Sequence, residues 1–170
     1  MGNESSNAKP KYTYRMYEPR RHLYQILQYQ AIKCRTTTEW PTTAEFKSDT
    51  TAFLTYKGVV LEDENDGVHI VQLFTVDDNT MAIELMDHLV LRPDSSYTES
   101  KDLVVDIVRG SPAFKKARFF KCRAETAEKY PLLEKILTTN LNFINESSIA
   151  QSPMYVLRQT LGEEKNGESD

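Results

Sequence analysis

Hydrophobic and polar positions alternate most regularly between Val68 and Pro93. Val68, Ile70, Phe74 and Val76 share one parity of the first segment, and His69, Val71, Leu73 and Thr75 share the other. In the second segment Met81, Ile83, Leu85, Leu89 and Leu91 fall on one face, opposite Ala82, Glu84, Met86, His88 and Val90. Period-two alternation interrupted by Asp77-Asp78-Asn79-Thr80 predicts a β-hairpin. Both arms are apolar on two faces over much of their length, the pattern of strands buried on both sides, so the hairpin reads as scaffold.

Other elements follow from the same patterning. Pro19 opens a short helix whose apolar positions are Leu23, Ile26, Leu27 and Ala31. The β-branched run from Ala31 to Trp40 predicts a strand, with a short edge strand near Phe46. Thr51 to Leu61 predicts a strand interrupted at Gly58 by a bulge or turn. The acidic run Glu62, Asp63, Glu64, Asp66, closed by Gly67, reads as a solvated hairpin turn. After the polar loop from Asp94 to Lys101, strands are expected at Asp102 to Arg109 and within Phe114 to Ala124. In the latter, Phe119 and Lys121 face one way and Phe120 and Cys122 the other. Pro131 opens a helix striped by Leu133, Ile136, Leu137, Leu141 and Ile144, running over about 131–145. Met154 to Leu161 forms a last short element. The expected fold is mainly β (α+β): a bent antiparallel sheet or partial barrel, a short N-terminal helix, and a C-terminal helix closing one side. It occupies residues 12–161 as a single domain between disordered tails at 1–11 and 162–170.

Composition narrows the function. A length of 170 residues suffices for a core without staples, and two cysteines are too few for a disulfide framework. A net charge of −4 argues against a general nucleic-acid coat. The histidines, His22, His69 and His88, have no metal-ligand spacing; His69 and His88 read as a surface pair on the hairpin arms. No nucleophile elbow, Walker loop or dinucleotide fingerprint occurs, so neither enzyme nor cofactor is expected. Gly2 with Ser6 fits the N-myristoylation pattern. Membrane attachment, through a pleckstrin-like barrel, would depend on that acylation.

Two constellations remain. Trp40, Tyr56 and Tyr97 fall at strand ends or in loops, where with Glu39 or Asp94 they could line a groove for a methylated ammonium group. Lys115, Lys116, Arg118, Lys121 and Arg123, interleaved with Phe119, form a one-sign patch that could track single-stranded nucleic acid.

Arg92-Pro93-Asp94 after the hairpin, Lys101 to Val108 (KDLVVDIV), and Phe120-Lys121-Cys122-Arg123-Ala124 occur in an order that resembles the bromo-adjacent homology module of chromatin proteins. The resemblance implies a nuclear, non-enzymatic interaction module that binds a protein segment, such as a histone or chromatin complex, in a loop-rimmed groove. Trp40, Tyr56, Tyr97, Arg92 and Asp94 would be its ligand-binding residues. The alternatives are the nucleic-acid barrel and a cytoplasmic, acylated membrane protein.

Overall fold

The computed structural model describes residues 11–36, 53–92, 97–110, 117–146 and 154–158. The chain order is β1 (Thr13–Met16), α1 (Pro19–Thr36), β2 (Lys57–Glu62), β3 (Val68–Asp77), β4 (Ala82–Val90), α2 (Tyr97–Val105), β5 (Phe119–Arg123), α3 (Ala124–Lys129), α4 (Pro131–Lys135), β6 (Ile144–Asn145) and β7 (Met154–Arg158). Both α2 and α4 widen into a π-helical turn, over Asp106–Gly110 and Ile136–Asn140.

The strands form one open sheet in the order β1-β2-β3-β4-β5-β7-β6, antiparallel except for β4 and β5. Of the two expected forms, a mostly antiparallel sheet within an α+β fold is found, open at its β1 and β6 edges, and the partial barrel is not. The hairpin forms as its alternation demands, with Asp77 Oδ1 accepting from the Asn79 and Thr80 N–H groups at 2.9 and 3.3 Å to shape the turn.

Helices cover both faces. Val59, Leu61, Ile70, Phe74, Ile83 and Leu85 pack against Leu103, Val104, Ile107 and Val108 of α2 and Leu133, Ile136 and Leu137 of α4. Val60, Val71, Leu73 and Leu89 pack on the other side against Tyr17, Ile26 and Phe53. Leu85 and Leu89 thus serve opposite faces, although residues four apart on a regular strand point the same way. A bulge causes this. Gln72 pairs with His88 and Phe74 with Leu85, so β4 spends one more residue than β3 between those rungs. The expectation that Met81, Ile83, Leu85, Leu89 and Leu91 share one face fails for this reason.

Three segments depart from the expected elements. The helix begun at Pro19 runs on to Thr36, through the first part of the stretch expected as a strand. Asp102 to Arg109 is helical, because Leu103, Val104, Ile107 and Val108 recur at the spacing of one helix face. The C-terminal helical run ends at Asn140, and Ile144 belongs to a strand. Gly58 lies inside β2 without a break; a Cβ there would meet Gln72 O and Leu73 Cδ2, both at 2.8 Å. The glycine serves close strand approach.

Candidate functional site

β4 and β5 begin side by side and then part. Their register covers Ala82↔Phe119, Ile83↔Phe120 and Glu84↔Lys121, after which β4 continues to Val90 and β5 to Arg123 without further pairing between them. The bulge lies in the diverging part of β4. A gap between the carboxyl-terminal halves of two parallel strands is the kind of crevice in which open α/β sheets bind ligands.

Glu84 stands at the last paired rung. Its residue is 8% exposed. Arg123 Nε lies 2.9 Å from Glu84 Oε2, yet the N–H is not aimed at it, and Oε2 is buried without a hydrogen bond. The Arg123 charge compensates this oxygen, but its hydrogen-bonding capacity is left open to a further donor. Arg123 is itself half exposed and also lies 3.8 Å from Glu125.

Tyr130 stands at the α3–α4 junction, partly buried against the hydrophobic clusters on both faces of the sheet. It holds the N-cap position of α4 and donates its N–H to Thr126 O at 3.0 Å. Among the described residues it alone packs against the cores on both faces of the sheet.

The bulge is held from behind by a buried polar chain. Gln72 Nε2 donates to Leu73 O at 2.7 Å and Met86 O at 3.2 Å, which leaves its Oε1 as the acceptor for His88 Nδ1 at 3.0 Å. His88 Nδ1 therefore carries the proton, and Nε2 accepts from Ser100 Oγ of α2 at 3.1 Å. Full burial pushes the His88 pKa down to about 4. Burial first, then Glu84 and Glu134, pushes the Cys122 thiol up to about 12, which removes it as a thiolate nucleophile near neutral pH.

No family model matches the sequence, and no curated protein matches it. The solved structures are more informative. A GNAT-family acetyltransferase from Staphylococcus aureus superposes with a TM-score of 0.62 at 10% identity, over 87% of this chain and 99% of its own. An N-acetyltransferase from the same organism gives 0.52 at 17% identity, over 87% and 98%. Diaminobutyrate acetyltransferase EctA from Paenibacillus lautus, in complex with L-2,4-diaminobutyric acid and coenzyme A, gives 0.54 at 9%, over 88% and 96%. The chain has the GNAT acetyltransferase fold.

A GNAT fold overturns the resemblance to the bromo-adjacent homology module, and with it the non-enzymatic chromatin reading: the three solved structures just described are acetyltransferases. KDLVVDIV is helix here, so that matching segment stands in another architecture.

Of the aromatic residues singled out from sequence for the groove, the two that are described, Tyr56 and Tyr97, pack on opposite faces of the sheet. Tyr97 begins α2, packs against the α2-side core and donates its hydroxyl to Asn140 Oδ1; Tyr56 packs against the core on the other face. Arg92 Nε donates to Val68 O at 3.3 Å. Trp40, Glu39 and Asp94 lie outside the described residues, as do Gly2, Lys115 and Lys116. Arg118 is exposed, Phe119 and Lys121 are half-buried, and Arg123 is drawn to Glu84. The acidic turn is only partly solvated. Glu62 is buried, with Arg15 Nε at 2.7 Å, Arg21 Nε at 2.8 Å and His22 Nε2 at 2.6 Å. Burial alone would raise the Glu62 carboxyl, but the Arg21 and His22 hydrogen bonds outweigh it and hold it below the usual range. The expected surface histidine pair is likewise absent: His69 is buried against Asp63 at 2.7 Å, and His88 belongs to the bulge chain. Among the described residues no group of three or more His, Cys, Asp or Glu could hold a metal.

Glu84 and Tyr130 were invisible as a pair in the sequence. Glu84 alternates like a solvent-facing strand residue, and only the arrival of β5 beside β4 buries it.

Proposed function

We propose that the protein is an N-acyltransferase that takes its acyl group from a coenzyme A thioester in the β4–β5 fork and passes it to an amine. The observation that carries this reading is Glu84 Oε2, a buried carboxylate oxygen with no hydrogen bond where the strands part. The GNAT fold, whose EctA example holds coenzyme A and a diamino acid, supports it.

The residues present suit that cofactor. A fork between strands accepts a narrow arm. α2 begins beyond the end of β4, and helix N-termini favour phosphate groups through their free N–H groups and dipole. Lys135 Nζ lies 4.7 Å from the ring of Tyr97, the first residue of α2, and adds a cation there. Bound as a thioester, coenzyme A supplies an activated acyl carbon and a thiolate leaving group.

The chain's own residues handle protons and position. Glu84 Oε2 accepts the proton that an ammonium acceptor must lose before its nitrogen can form the new C–N bond. Tyr130, at the α3–α4 junction between the two cores, would be the phenol that returns a proton to the sulfur leaving group. The Gln72–His88–Ser100 chain fixes the bulge that opens the fork.

The test is thiol release from acetyl-coenzyme A in the presence of amino acids, diamines and lysine peptides, with the acetylated product identified by mass. Wild-type protein should acetylate at least one acceptor, and Glu84→Gln should lower kcat/KM by about 10²-fold or more. An absence of acetylated product with every acceptor class, or a Glu84→Gln enzyme of unchanged rate, contradicts the proposal.

A further inference from the structure

A cavity lies toward the β1 edge of the sheet. Tyr12, Tyr14 and Leu61 face Glu99 and Asp102 of α2 across a space of about 200 Å³. Tyr14 and Leu61 are register partners on β1 and β2, which β3 separates from β4. Glu99 and Asp102 are three residues apart on α2, so they project from one helix face. Asp106 follows one turn later, and its charge also reaches Tyr14: burial first, then Asp102 and Asp106, raises that phenol's pKa.

Two phenol rings, an aliphatic floor and two carboxylates share one chemical preference. Aromatic faces attract cations through their quadrupole, carboxylates attract them by charge, and Leu61 favours an apolar body. An inorganic cation would leave the tyrosines and leucine unused. A phosphate or carboxylate ligand would meet only like charge. The volume is that of about six to seven waters, which suits a small organic ion.

One cation already stands nearby. Lys101 Nζ lies 3.4 Å from Asp102 Oδ1, but its side chain is one-third exposed and that of Asp102 half exposed. A pair of that kind is held weakly and yields to a ligand that fills the cavity. Tyr12 also meets His69 edge-on at 4.9 Å between ring centroids, which anchors that wall to β3.

We infer that the cavity between β1, β2 and α2 binds an alkylammonium ion, at a site separate from the β4–β5 fork. The inference does not depend on the acyltransferase reading. Its test is calorimetric titration of the full chain with tetramethylammonium and with butylammonium chloride, at ionic strength matched with sodium chloride. Saturable binding of at least one of the two probes is expected, weakened roughly tenfold by Tyr14→Leu or by Asp102→Asn and unchanged by Glu84→Gln. Tyr14 and Asp102 are both exposed at the surface, so neither change threatens folding. If one of those two variants should fail to fold, the other decides. Failure of both probes to bind saturably, unchanged affinity in the Tyr14 and Asp102 variants, or loss of binding in Glu84→Gln would each overturn the inference, the last by placing the ammonium in the fork.

Discussion

His88 shows how much one side chain carries here. It is fully buried, protonated on Nδ1 only, and placed between the amide that grips the bulge and the hydroxyl that ties in α2. Its folded pKa of about 4 lies below the ordinary histidine value of 6.5, so the unfolded chain binds the extra proton first. His88 therefore adds no pH dependence above about pH 6.5, and it withdraws stability as pH falls from there towards 4. A gap of that size corresponds to about 3 kcal/mol. Glu62 acts lower down: its depressed pKa means that its contribution is present above the unfolded carboxylate value and is lost as pH falls below it. Urea denaturation of the wild type should show a falling midpoint between pH 6.5 and 4.5. His88→Gln, which keeps a neutral amide in place, should flatten that slope while costing about 1–2 kcal/mol at pH 7. An unchanged slope in the variant would show that His88 is not the titrating group.

At the scale of elements, legibility followed how much of the packing is local. The β3–β4 hairpin was readable because its alternation, turn residues and pairing all lie within one stretch. β5 was readable from its own alternation alone, with Phe120 and Cys122 buried on one side and Phe119 and Lys121 half-buried on the other, although its partners lie far off in sequence. α2 was not. Its β-branched run suggested a strand, and the polar residues from Tyr97 to Lys101 suggested a loop, but tertiary contacts override such propensities when a helix buries one stripe on a sheet. The two readings predict different core residues. A strand would bury Leu103, Val105 and Ile107 together, whereas the helix buries Leu103, Val104, Ile107 and Val108 and leaves Val105 half-buried. Val104→Ala should cost about 2 kcal/mol and Val105→Ala less than about 1. Equal losses in chemical denaturation would contradict the helical register. The bulge in β4 was equally hidden, because one extra residue in a strand leaves no compositional mark; it appears only when Gln72 and Phe74 are seen opposite His88 and Leu85.

For the whole molecule, the arrangement that matters is the sheet order. β5 comes from beyond α2 to lie parallel with β4, pairs over three rungs, and then diverges, leaving a fork with Glu84 at its base, while Tyr130 packs against the cores on both faces of the sheet. None of this is local in sequence, which is why the site escaped a reading that found the scaffold, and why short motif matches pointed to a different architecture. The same long-range assembly closes the cavity between β1, β2 and α2, so α2 carries Glu99 and Asp102 towards that cavity and Ser100 towards the bulge. The most direct test of the central claim is to titrate isotope-labelled protein with coenzyme A and follow the backbone amide resonances. Saturable shifts are expected in β4 beyond Glu84, in β5 from Lys121 to Arg123, at Tyr130, and at the start of α2. A titration that leaves those segments unmoved would contradict the fork as the cofactor site.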